Sequence, residues 1–83
     1  MNDIDRRVVQ VVSRIMGVPP EEIGDDSSPD TINKWDSLRH MNLVLALEEE
    51  FAVSFNDEEI VELLTVGLII ETLRGRPLFA PRP

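Results

Sequence analysis

The sequence predicts an all-α fold: a small four-helix bundle with a long first loop and a short third helix. Three observations predict it. Apolar residues recur at helical spacing in separate stretches of the chain. Capping or helix-breaking residues bracket those stretches. Finally, 83 residues, 42% of them hydrophobic, suffice for one domain with one small core. A domain of this size buries only about 60% of its unfolded-chain surface, so the stability expected is marginal.

The first helix is expected from about Asp3 to Met16. Ile4, Val8, Val11, Val12 and Ile15 fall on one helical face. Asn2 or Asp3 can cap it. Gly17 suits the position after its end, and Pro19 and Pro20 forbid continuation. A long connection rich in Pro, Asp, Ser and Gly follows, to Asp36. Pro20-Glu21-Glu22-Ile23 can form one helical turn with proline in its first position. Ile23, Ile32 and Trp35 can pin the rest to the core. Asp25, Asp26, Ser27, Ser28 and Asp30 lack the central glycine and closing glutamate of a calcium loop, so no metal site is expected there.

The second helix is expected from Ser37 to Phe51 or Ala52, with Asp36 as its N-cap. Asn56 and Glu59 have the spacing of a capping box and signal the third helix, with Ile60, Leu63 and Leu64 on its apolar side. Thr65 can cap a fourth helix from about Val66 to Arg74. Val66, Ile69, Ile70 and Leu73 would face inward, and Gly75 would end it. Residues 1–75 form the expected domain, and 76–83, with three prolines, a flexible C-terminal tail.

Composition narrows the function. There is no cysteine, so neither a disulfide nor a thiolate metal site can form. The polar, acidic N-terminus is no signal peptide, and no apolar run approaches membrane-spanning length. A cytoplasmic monomer without membrane insertion is the expectation. The net charge is −8, and no Lys or Arg occurs between His40 and Leu73 among eight acids. Nucleic acid, which requires a basic footprint, is excluded as a partner. Two readings fit the acidic half: a solvated face, or a surface steered towards basic proteins.

On the second helix, Leu43, Val44, Leu47 and Phe51 share one side, and Leu38, Met41 and Leu45 lie nearly opposite. Asn42 and Glu49 flank this second stripe, with Arg39 and Ala46 further round. A surface helix needs only one apolar stripe. Either the short helices cover the second one or a partner docks there. His40 projects towards the core side, where a lone histidine packs or is hydrogen-bonded; a role near Ser37 is the alternative. Trp35 can anchor the loop against the bundle or instead shape where a group attached to Ser37 leaves it.

The most informative run is Trp35-Asp36-Ser37-Leu38-Arg39-His40-Met41. Ser37 would stand exposed at a helix start, where unpaired backbone N–H groups favour an anion such as a phosphate ester. Asp-Ser is also an ordinary helix start. His40 is three residues on, but there is no Gly-x-Ser-x-Gly elbow and little from which to build an oxyanion hole.

The Asp36-Ser37-Leu38 start and the Leu47-Glu48-Glu49-Glu50-Phe51 finish together resemble the acyl carrier protein family. The long first loop agrees with that resemblance. It implies a carrier and not an enzyme. A 4′-phosphopantetheine arm would be joined to Ser37, beside Asp36, by a phosphopantetheinyl transferase. Acyl groups would ride on the arm as thioesters. Acyl-loading and acyl-transfer enzymes with basic docking surfaces would meet Leu38, Arg39, Met41, Asn42, Leu45, Glu48 and Glu49. The bundle would part to shelter an apolar chain among Val8, Val12, Val44, Leu47 and Ile69. Housekeeping fatty-acid carriers usually have acids where this chain has Arg39 and Asn42. A dedicated lipid or secondary-metabolite pathway therefore fits. A peptidyl or aminoacyl carrier, or a small acidic interaction module without an arm, are the alternatives.

Overall fold

The computed structural model describes residues 3–75. The expected tail, 76–83, and the alternative cap Asn2 lie outside them. The described chain holds four α-helices and one 3₁₀ turn. α1 spans Asp3–Met16, with acids in its first turn and Arg14 in its last, as the helix dipole favours. It buries Val8, Val11, Val12 and Met16, while Ile15 and Ile4 are only partly buried at the core's edge. Gly17 ends it with φ 71°, its N–H donating to the Ser13 carbonyl at 2.9 Å.

The long loop contains the expected turn, Pro20–Glu22. Ile32 and Trp35 are buried and Ile23 packs against the core's edge. The loop is also fastened by its backbone. The N–H of Val66 donates to the Ser27 carbonyl at 3.0 Å, and that of Gly67 to the Asp25 carbonyl at 2.8 Å. These are first-turn amides of the fourth helix, which have no partner within their own helix. Gly67 permits the approach, since a Cβ there would lie 3.1 Å from the Asp25 carbonyl oxygen.

α2 spans Ser37–Phe51. It buries Leu43, Val44, Leu47 and Phe51, the face that the periodicity predicts. Arg7 of α1 lies 4.6 Å over the Phe51 ring and reaches Glu50 at 2.9 Å. α3 spans Asp57–Glu62 and opens on the full capping box, with Asn56 accepting from the Glu59 N–H at 2.8 Å and Glu59 from the Asn56 N–H at 3.0 Å. None of its six residues is fully buried. The chain bends at Leu63, which enters the core and leaves Leu64 exposed, contrary to the inward position expected of it.

α4 spans Val66–Arg74, capped by the Thr65 hydroxyl, which accepts from the Leu68 N–H at 3.0 Å. Val66, Ile69, Ile70 and Leu73 are buried. Arg74 pairs with Asp5 of α1 at 2.7 Å. α1 thus packs between α2 and α4. Burying each Val, Leu or Ile side chain contributes about 1.5–3 kcal/mol. No helix among the described residues is long and apolar enough to cross a membrane.

Candidate functional site at the head of the second helix

Asp36 sets the geometry. It has extended backbone and accepts the Arg39 N–H on Oδ1 at 2.8 Å, which starts α2 at the next residue. Ser37 is therefore the first residue of a rigid helix, and it is exposed. The other serines of the first loop and α1 are committed elsewhere. Ser13 Oγ donates to the Val18 carbonyl at 2.6 Å. Ser27 is buried and accepts the Gly24 N–H at 2.9 Å, and Ser28 accepts the Asp30 N–H at 3.1 Å.

Beside Ser37 runs an open, mainly apolar groove of about 550 Å³ between the head of α2 and α3. Met41, Ile60, Val61 and Leu64 line it, with Trp35 and Pro29 of the loop at one end. Its volume lies in the ~300–1,000 Å³ range typical of small-ligand sites. The second apolar stripe expected on α2 thus divides. Leu38 and Leu45 face solvent at 71% and 58% exposure, whereas Met41 turns to the groove.

The other residues expected at the docking face differ among themselves. Asn42 and Glu49 are exposed. Arg39 reaches across to α1, where its guanidinium donates to the Ile15 carbonyl at 3.1 Å. It thereby supplies a cation to the C-terminal end of α1, where the dipole favours one. Glu48 is half-buried and accepts the Phe55 N–H at 2.9 Å, joining α2 to the approach of α3. Both side chains have structural tasks that the sequence did not reveal. The residues expected to shelter an apolar chain, Val8, Val12, Val44, Leu47 and Ile69, are packed together in the closed core.

His40 does turn inward. Its Nδ1 lies 3.0 Å from Trp35 Nε1 and its Nε2 2.9 Å from the Ile60 carbonyl. The indole N–H can only donate, so Nδ1 accepts and the ring proton sits on Nε2, donating to Ile60. Both rings lie nearly parallel, 6.2 Å apart. Trp35 anchors the loop, as expected, and also lines one end of the groove.

A comparison with protein families matches residues 6–73 to the family described as the phosphopantetheine attachment site. The match covers α2 entirely and extends from the first turn of α1 to the last turn of α4.

Proposed function

Because this chain belongs to the phosphopantetheine-attachment family, a family of carriers with 4′-phosphopantetheine as prosthetic group, we propose that it is an acyl carrier protein whose arm is joined to Ser37. The observation that carries this reading is the exposed Ser37 hydroxyl on the first residue of a capped helix, beside an apolar groove.

The residues present fit such a group. A phosphodiester on Ser37 Oγ would lie at the N-terminal end of α2, where backbone N–H groups favour an anion. Met41, Val61 and Leu64 would flank the less polar part of an arm leaving Ser37. When bound, the arm supplies a terminal thiol that carries the acyl group as a thioester, and the chain itself has no cysteine to compete. The protein's own contributions are presentation and docking. Asp36 fixes the helix start, and Leu38 and Leu45 offer apolar contact near the serine. Glu49 and the wider acidic half favour brief, steered encounters with basic surfaces.

Carriers of this family meet a phosphopantetheinyl transferase and partner enzymes. We take the partners here to be those of a dedicated lipid or secondary-metabolite pathway, because Arg39 and Asn42 stand where housekeeping carriers have acids. The protein would act as a monomeric carrier without catalytic activity of its own. Its arm would come from coenzyme A, an intracellular donor, which supports the cytoplasm as its place of work.

The test is intact-mass measurement after incubation with coenzyme A and a transferase of broad specificity. Wild type should gain the mass of one phosphopantetheine. An unchanged mass under conditions that fully load a known carrier would sink the reading. Cargo recovered from the holo protein then separates acyl from aminoacyl service.

A further inference from the structure

We propose that His40 is the positioning residue that keys α3 to α2 and so forms the wall of the groove beside Ser37. α3 is a short element at the edge of the core. It has six residues, none fully buried, with Ile60 packed against the core's edge, and its capping box lies within the element. Phe55 before it and Leu63 after it enter the core. Between these two anchors, His40 Nε2–H donates to the Ile60 carbonyl, a direct bond from α2 into the body of α3.

That bond is available because Trp35 fixes the tautomer. The indole N–H requires an acceptor at Nδ1, which leaves the ring proton on Nε2 facing Ile60. One imidazole thus joins three parts of the chain: the end of the loop, the first turns of α2, and α3. Ile60, Val61 and Leu64, the groove wall opposite Met41, lie at or just beyond the keyed carbonyl. Releasing the key frees α3 to move and changes the groove without unfolding the α1–α2–α4 core. Local openings of this kind are set by local contacts, not by global stability. The consequence for an arm rests on the function proposed above, but the key itself is a property of the apo chain.

The test uses apo wild type and three variants. His40→Phe keeps a ring and loses both bonds. The His40→Gln amide reaches the position of Nε2 and can still donate to Ile60. The His40→Asn side chain reaches only the position of Nδ1 and can still accept from Trp35. Amide exchange of Ile60 and Leu63 should be at least 10-fold faster in His40→Phe and His40→Asn than in wild type. In His40→Gln it should stay within about 3-fold of wild type, with Leu47 and Ile69 amides unchanged in all. The indole N–H resonance of Trp35 should move in Phe and Gln but hold its place in Asn. Exchange at Ile60 in Phe equal to wild type, or Gln and Asn alike in both readouts, would overturn the proposal. Should a variant fail to fold, nitrogen chemical shifts of wild-type His40 at pH 8 decide: the Nε2–H tautomer is required, and the Nδ1–H tautomer overturns it. None of these readouts needs an arm, so their failure would leave the loading of Ser37 untouched.

Discussion

Around Ser37, exposed apolar side chains stand beside side chains with structural tasks. Leu38 and Leu45 are exposed and contribute little to the core, so truncating them should leave the fold intact. Truncating an apolar side chain that anchors a protein contact at a cost of about 1.4 kcal/mol lowers rate or affinity about tenfold. Leu38→Ala and Leu45→Ala should each lower the transferase kcat/KM towards this protein by about that factor, with melting temperature unchanged. Normal kinetics in both would remove this face from the docking account. Arg39 should behave in the opposite way. Its guanidinium holds the last turn of α1 through the Ile15 carbonyl. Arg39→Met keeps most of the aliphatic stem and should lose about 1 kcal/mol in urea unfolding, the size of a cation lost from a helix C-terminus and its hydrogen bond. No loss would mean that the contact is idle in solution.

The elements are specified at their ends. Asp36, Asn56 and Thr65 each accept a backbone N–H three residues on, and each was legible in the sequence because capping is local. The end of α2 breaks the usual pattern. Ala52 occupies the left-handed region at φ 54°, and the Val53 N–H closes the motif on the Glu48 carbonyl at 3.2 Å. A Cβ in that conformation is unfavourable and glycine removes the penalty. Ala52→Gly should therefore stabilise the protein by about 0.5–1 kcal/mol, measured by urea denaturation. Destabilisation would contradict the described cap. Contacts between distant residues were not legible. The Trp35–His40–Ile60 chain, the reach of Arg39 to Ile15 and the approach of Gly67 to Asp25 depend on how elements pack, and helical spacing carries no signal of them. Leu64 was misjudged for a related reason. The turn at Leu63 ends the helical register that had placed it inward.

At the scale of the molecule, net charge and site are linked. The charge of −8 is carried largely by exposed acids, and self-repulsion destabilises a compact state. Raising salt from about 0.01 M to about 0.1 M shortens the screening length from roughly 30 to 10 Å. The apo protein should gain about 4 °C or more in Tm over that range, as a change near 1 kcal/mol gives in a domain this small. Glu62→Gln should act in the same direction, because Glu62 ends α3, where the helix dipole disfavours an anion. Glu58 would be a poorer probe, since it lies in the first turn of α3, where a negative charge is favoured. A Tm that is flat or falls with salt would assign no repulsive cost to the acidic half. The helices, their order and the exposed place of Ser37 at the start of α2 were legible because amphipathic spacing and caps are written locally. The groove was not, because Pro29, Met41 and Val61 meet only in the folded chain. On the proposed function, one serine takes the arm. Peptide mapping of the loaded protein alongside Ser37→Ala decides this. A single phosphopantetheine on Ser37 and an unmodified Ser37→Ala protein are predicted; an arm on Ser13, Ser27, Ser28 or Ser54, or a loaded Ser37→Ala variant, would contradict the account.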